Sequence, residues 1–377
     1  MTRPTLVMVT TSFPIAGDGS EAAGAFVADL AEELTSDFNI RIVAPGTTNG
    51  IEPRSEHIDI YRYEAPKSPL STLKPWRVGD LVWIYKILKG GQNATWQASD
   101  GAEHILALWA LPSGQWAKSA ARRRHIGYSV WTLGSDIWSL GKIPLLRARL
   151  RSILRSARHC WSDGIELGNE TKAIAGREVD FLPSTRRIDA GSRSSSRTQP
   201  PFRFLFLGRW HPNKGVDLLM QALSELGTQD WAQIESITIA GGGALEPVVR
   251  SAAAKLLRAG RPVDVRGYLS RDEASAAMLR ADYLLIPSRI ESIPVVFSDA
   301  MKLGLPVVST PVGDLTALIT SEIGVLATDV SPAAFAIAMR KMLGTDPTRF
   351  DLKAMRERFD LSKTAQAIAT AVLTNKP

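Results

Sequence analysis

The sequence predicts an α/β protein of two doubly wound domains facing a central cleft, and three observations carry that expectation. At 377 residues the chain is about two to three ordinary domains long, enough for two separate cores. Short apolar runs alternate with helix-periodic segments, the pattern of repeated β-α-β units on a parallel sheet. The alternation breaks once, at 184–201, where a polar, serine-rich stretch ends in Pro200 and Pro201, as interdomain linkers do.

Taken in order, residues 6–11 read as a strand, 23–34 as an amphipathic helix with Phe26, Val27, Leu30 and Leu34 on one side, and 39–44 as the next strand. Further strands are expected at 105–109, 128–133 and 179–182. After the linker a fresh alternation places strands at 202–207, 236–240, 263–266, 283–286 and 306–309. The expected division is a first Rossmann-like domain at 1–183, the linker at 184–201, a second such domain at 202–360, and a helix at 361–377 able to pack back on the first domain. No repeat of ~20 to 50 residues is visible, which argues against solenoids and propellers. Doubly wound sheets bind ligands at the carboxyl ends of their strands, so chemistry is sought in the strand-to-helix turns.

Composition narrows the class. With 45% hydrophobic and 22% charged residues, the chain is neither disordered nor of low complexity. Cys160 stands alone, so no internal disulfide forms, no Cys/His cluster has zinc spacing, and a reducing, cytoplasmic setting is expected. The apolar stretch at 6–9 is too short for a signal-peptide core and no uncharged run reaches a membrane span, so neither secretion by that route nor membrane insertion is expected. The net charge of +7 is unevenly placed: residues 118–158 hold ten Lys/Arg against one acid, Asp136, leaving 35 basic against 37 acidic residues elsewhere. A local excess of this kind points to one anionic contact surface.

Two segments carry the strongest chemical signal. In 287–304, after an apolar strand, Pro294 suits the first position of a helix and Gly304 the residue past its end. Glu291 then lies in the turn before the helix, where Ser292 and Ile293 offer free backbone N–H groups to an anion. Asp299 lies one to two turns in, and two carboxylates so spaced can hold hydroxyls at two ends of one extended ligand; the alternative is two solvated acids. In 206–217, another strand, turn and helix, Arg209 and Lys214 can converge on one diphosphate, the arginine by a fork and the lysine as a point charge. The alternative is two surface cations.

Together these segments resemble the donor half of retaining family 4 glycosyltransferases of the GT-B fold, with their Gly-Arg-x(4)-Lys-Gly turn and Glu-x(7)-Glu helix entry, here Glu291-x(7)-Asp299. Phe13-Pro14, Gly24-Ala-Phe-Val27, Trp109-Ala-Leu-Pro-Ser-Gly114, Leu133-Gly-Ser-Asp136 and Phe359-Asp-Leu-Ser-Lys-Thr-Ala-Gln366 fall in the family's order and extend the resemblance over most of the chain. It implies that Arg209 and Lys214 bind the pyrophosphate of a nucleotide sugar, that Glu291 holds a hydroxyl of the transferred sugar and acts in catalysis with Asp136, and that Asp299 binds the ribose. Ser292, Ile293 and Gly24 join the donor site. The family chemistry retains anomeric configuration through an oxocarbenium-like, front-face displacement, in which positioning and positive charge do most of the work. Many relatives carry a histidine where this chain has Leu133. That departure keeps open a second reading, a catalytically silent homologue serving as partner subunit or nucleotide-sugar sensor. No Asp-x-Asp occurs, so no metal or other cofactor is expected. The glycines at 17, 19 and 24 lack dinucleotide-binding spacing, and no Gly-Lys-Ser/Thr occurs.

The acceptor is left open between a saccharide, a lipid-linked saccharide and a small molecule, in glycan or glycolipid biosynthesis. Residues 145–157 are helix-periodic, with Leu145, Leu146, Leu150, Ile153, Leu154 and Ala157 on one side and Arg147, Arg151, Arg155 and Arg158 on the other. Such a face can bind anionic lipid headgroups while the protein stays peripheral to the cytoplasmic leaflet; a core-packed helix with solvated arginines is the other reading. Nucleic acid is not expected as a partner, because the arginines lack interleaved aromatics.

Overall fold

The computed structural model describes residues 3–15, 24–66, 73–74, 76–188 and 197–374, the Ser135 side chain excepted. It divides into two compact units, Met1–Arg187 with Leu361–Pro377, and Ile188–Asp360. Each is a Rossmann-like half with its own sheet.

In the first unit the strands are β1 (Thr5–Val9), β2 (Asn39–Gly46), β3 (Gly50–Ser55), β4 (Ile58–Glu64), β5 (His104–Leu108), β6 (Gly127–Thr132), β7 (Cys160–Ser162) and β8 (Asp180–Phe181). Their order is β3-β4-β2-β1-β5-β6-β7-β8. All pairs are parallel except β3 with β4. After Thr5 and His104, β1 and β5 are apolar because both faces of a parallel sheet are covered, and Val7 sits between Arg41 of β2 and Ile105 of β5 in register. β3 stands where a crossover helix would normally join β2 to β4. It is exposed along its whole length, and Pro53 with its charged neighbours suits an edge that must not pair further.

The helix Leu361–Leu373 belongs to this unit, with Leu361, Ile368 and Val372 entering the same cluster as Leu6, Met8 and Leu30. Residues 184–187, expected in the linker, are held to the first unit. The Arg187 N–H donates to Asp29 Oδ2 at 2.8 Å, and its guanidinium reaches Glu32 at 3.3 Å and Glu33 at 2.7 Å. The part of the linker at 189–196 lies outside the described residues, as do Gly17 and Gly19.

The second unit contains β9 (Phe202–Leu207), β10 (Ile234–Ala240), β11 (Val263–Arg266), β12 (Tyr283–Ile286), β13 (Val307–Ser309) and β14 (Gly324–Leu326). The order β11-β10-β9-β12-β13-β14 is parallel throughout. Phe202 and Phe204 pack on Tyr283 at ring separations of 5.2 and 5.3 Å, and each such buried ring contributes about 1.5–3 kcal/mol. This arrangement puts the turns after β9 and β12 side by side where the strand order reverses, the place such sheets reserve for ligands.

Candidate donor site at the second switch point

The chain leaves β9 at Gly208, turns, and enters the helix Val216–Ser224. His211 caps the short turn Pro212–Lys214, its Nδ1 accepting from the Asn213 N–H at 3.2 Å. Gly215 has φ +67°, and a Cβ there would stand 1.8 Å from the Pro287 carbonyl oxygen, so only glycine lets this turn touch the one after β12. Arg289 ties the two together. Its guanidinium forks onto both oxygens of Asp217 at 2.8 Å, and its N–H donates to the Asn213 carbonyl at 2.8 Å. Burial by itself raises the Asp217 pKa, but the Arg289 fork outweighs it and holds the carboxyl below the ordinary range.

Lys214 Nζ donates to Glu291 Oε1, which also accepts from Ser288 Oγ at 3.2 Å. An ammonium has three donors, so Lys214 can keep Glu291 and still meet a phosphate. Arg209 is exposed and makes no ion pair among the described residues. Beyond Glu291, the N–H groups of Ser292 and Ile293 have no acceptor among the described residues and precede the helix Val295–Leu303. Pro294, expected at the first helical position, is the N-cap instead, while Gly304 ends the helix at φ +66°. Lys214 and Glu291 thus meet at one switch point, with Arg209 on the turn that carries Lys214 and the Ser292 and Ile293 N–H groups just beyond Glu291. That set suits a diphosphate joined to a hydroxyl-bearing group.

Asp299, given the ribose by the resemblance, is fully buried, with Lys302 Nζ 3.4 Å from its Oδ1. Two further residues were given no role from the sequence. Gly313, at φ +49°, lies so close to the Glu291–Ser292 backbone that a Cβ would come within 2.1 Å of the Glu291 carbonyl; its place in a Gly-Asp pair was the available signal. Tyr268 follows β11, its ring 70% exposed and its hydroxyl donating to the Gly242 carbonyl at 2.8 Å. A large exposed ring just past a strand's carboxyl end was the signal there.

In the first unit the turn after β5 is strained, Trp109 holding φ +70°, uncommon for any non-glycine residue. Asp136 braces it: buried to 1% exposure, its Oδ2 accepts from the Ala110 N–H at 2.5 Å. Burial pushes its pKa up to about 6 against the pull of backbone hydrogen bonds from Ala110 and its neighbours. Asp136, given a part in catalysis by the resemblance, here holds the backbone of the turn after β5. Leu133 packs against the apolar cluster around Leu6 and Trp131. Gly24, at φ +72°, precedes the helix Ala25–Glu33; a Cβ there would stand 2.4 Å from the Ser12 carbonyl, so its conformation and close packing both require glycine.

The basic helix spans Pro144–Ser156 and buries Leu150, Ile153 and Leu154. Arg147, Arg149, Arg151 and Arg155 are exposed. Two expectations are corrected. Leu145 is 80% exposed, because at ~100° per residue it stands about 140° around the helix from Leu150. Arg158 lies past the helix end, half-buried against Gly127, because the chain becomes extended at Ala157. The cationic surface instead gathers Lys118, whose ammonium donates to Ser152 O and Oγ at 2.6 and 2.7 Å. Burial, then Arg149 and Arg122, lower its pKa.

Among the described residues no group of three His, Cys, Asp or Glu is placed to hold a metal, and no helix is long and apolar enough to cross a membrane.

Comparison with known proteins bears on this site. Residues 201–345, inside the second unit, match the family described as glycosyl transferases group 1. The chain is 30% identical over 205 residues to a D-inositol 3-phosphate glycosyltransferase of Jonesia denitrificans, covering 52% of this chain and 48% of the relative. It is 32% identical over 192 residues to a glycogen synthase of Mycobacterium tuberculosis, covering 49% and 45%. The alignments thus span about half the length of these curated relatives. Among solved structures, sucrose-phosphate synthase of Thermosynechococcus elongatus superposes with TM-score 0.72 at 17% identity over 97% of both chains. The Anabaena protein HepE in complex with UDP and glucose gives 0.65 at 14% identity over 98% and 99%. The fold is that of these transferases, GT-B.

Proposed function

We propose that the protein is a retaining, metal-independent glycosyltransferase of family 4, moving a hexosyl or related sugar from a nucleotide sugar to a saccharide, lipid-linked or small-molecule acceptor at the cytoplasmic side of a membrane. The observation that carries the reading is the contact between Lys214 and Glu291 at the β9/β12 switch point, inside the segment that matches the glycosyl transferases group 1 family. In this reading Arg209, Lys214 and the Ser292 and Ile293 N–H groups hold the diphosphate. Glu291 receives a sugar hydroxyl, and the leaving diphosphate, its charge balanced by the two cations, takes the acceptor proton. Tyr268 offers its face to the base, and Asp136 keeps the β5 turn in place. UDP, UDP-glucose and ADP bound to structural neighbours support a nucleotide-sugar donor.

The second reading, a silent homologue, is favoured by one observation, the aliphatic Leu133 at the place of the histidine. Thermal-shift binding of UDP, GDP and ADP sugars, followed by assay of slow donor hydrolysis without acceptor, separates the two. Binding with hydrolysis supports a transferase, binding alone a sensor, and neither removes both.

A further inference from the structure

The helix Val78–Ala98 turns Ile87, Gly91, Ala94 and Ala98 inward and, among the described residues, leaves its opposite face uncovered. Val78, Leu81, Val82, Tyr85 and Leu88 are 47–79% exposed, and Trp76 just before the helix is 75% exposed. At ~100° per residue the five helical positions fall within an arc of about 120°. Surface apolar residues are ordinarily scattered, so a stripe of this kind needs an occupant. Lys74, Lys86 and Lys89 stand 5.8, 4.8 and 5.9 Å from the rings of Trp76, Trp83 and Tyr85. Aromatics and aliphatics with Lys86 on one flank and Lys89 at the far end of the stripe, where its long stem can carry the ammonium outward, form the pattern of a helix lying in an anionic lipid interface. Two copies meeting through this stripe would oppose like charges, whereas an anionic leaflet neutralises them.

Along one flank of the stripe, sharing Tyr85 and Lys89, runs a cleft of about 460 Å³ between the helix and the carboxyl end of β4. It lies on the side where β3 takes the place of a crossover helix. Its cations are differently engaged. Arg62 is occupied by Glu52 and the Pro45 carbonyl, each at 2.9 Å, and Lys86 lies 3.5 Å from Glu64. Lys89 has no ion-pair partner among the described residues, and Asn93 lines the same wall with its amide exposed. One available ammonium beside an amide suits a phosphate next to a hydroxyl.

We propose that this cleft binds the phosphate-bearing head of a lipid acceptor, with the apolar stripe seated in the leaflet that supplies it. The proposal rests on the transferase reading, because the bound lipid is the acceptor.

The test uses the full chain and vesicles of phosphatidylcholine, with and without phosphatidylglycerol, with UDP-glucose thermal shift measured in parallel so that failure of the donor reading shows separately. Wild type is expected to bind the anionic vesicles about tenfold more tightly than the neutral ones. The pair Leu81→Asp, Val82→Asp should lose about tenfold on both. Lys89→Gln with Asn93→Ala should lose about fivefold on the anionic vesicles only. All of these substitutions fall at exposed positions and should leave the UDP-glucose shift unchanged. The lipid proposal is overturned if wild type ignores anionic vesicles, if either variant binds like wild type, or if light scattering shows a dimer that the stripe variant dissociates. It is also overturned if free glycerol phosphate binds the cleft as tightly as vesicles do, which would make the ligand a soluble phosphate.

Discussion

At the carboxyl ends of β9 and β12, Lys214 and Glu291 meet with part of each side chain open to solvent, while Arg289 and Asp217 hold the two turns together. At the carboxyl ends of β5 and β6, in a sheet of the same central strand order, the conspicuous carboxylate is Asp136, sealed from water and accepting from a backbone N–H. One topology therefore supports two uses of a turn acid. In the second unit the charge is poised for a ligand, and a separate Arg–Asp pair does the bracing. In the first the acid itself holds the turn.

The contrast is broken most severely at Glu291. Glu291→Gln keeps an acceptor for Lys214 but removes the charge offered to a sugar hydroxyl, an interaction of roughly 1.5–3 kcal/mol. Turnover should fall about 10- to 100-fold while nucleotide-diphosphate affinity changes by less than about threefold. Steady-state kinetics beside calorimetry of the diphosphate checks this; equal losses would move Glu291 to a nucleotide role.

Asp136→Asn sharpens the other side. An acid with its pKa raised from 3.8 to about 6 contributes stability that is fully present below pH 3.8 and is lost as pH rises through 6. Ionised and buried at neutral pH, the group costs up to about 3 kcal/mol. Asparagine still accepts from Ala110 and removes that cost, so denaturation at pH 7.5 should show a variant at least as stable as wild type, with the carboxylate's pH dependence gone. His104 works with the opposite sign: burial, then Arg158 and His159, lower its pKa from 6.5 to about 3, so across that window the unfolded state binds the extra proton and stability rises as pH rises. The difference between wild type and variant isolates the carboxylate. Sugar transfer within about threefold of wild type fits a brace; loss beyond about 100-fold would mean that Asp136 touches substrate.

Gly313→Ala tests the support beneath Glu291. A methyl 2.1 Å from the Glu291 carbonyl oxygen cannot fit unshifted, so about 1–3 kcal/mol of stability and part of the diphosphate affinity should be lost together. The smallest effect is expected from Arg147, Arg151 and Arg155 changed jointly to Gln. Together they contribute at most about 1 kcal/mol of anionic-vesicle binding, and that share should vanish at high salt, whereas a contribution from the apolar stripe should persist. Vesicle sedimentation at two salt concentrations reads both.

Legibility in the sequence followed the same divide. Strands at 202–207, 263–266 and 283–286 were readable to the residue because β-branched, aromatic and leucine side chains, continuous in 283–286 and alternating with charges in 263–266, stand between polar turns. The Gly-Arg-x(4)-Lys-Gly and Glu-x(7)-Asp spacings marked the donor turns because a phosphate site draws on a few residues close in sequence. The β3–β4 hairpin was not read: Gly50–Ser55 is polar and fully exposed, with a proline inside, and lacks a core-facing signal. Neither was the burial of Asp136, since a short acid after a strand looks alike whether it faces a ligand or a backbone N–H 26 residues away. Leu145 and Arg158 were misplaced because periodicity alone does not tell where a helix begins to touch the core or where it stops.

The central claim, that the β9/β12 switch point is a nucleotide-diphosphate site, is tested most directly by calorimetric titration of UDP, GDP and ADP into wild type, Arg209→Ala and Lys214→Ala. The account predicts that wild type binds at least one of the three. Each substitution should weaken it by roughly 1.5–3 kcal/mol, about 10- to 100-fold, through loss of a charge-assisted phosphate contact. Lys214→Ala should lose at least as much as Arg209→Ala, because it also strands the half-buried Glu291. Undiminished affinity in both folded variants would contradict it.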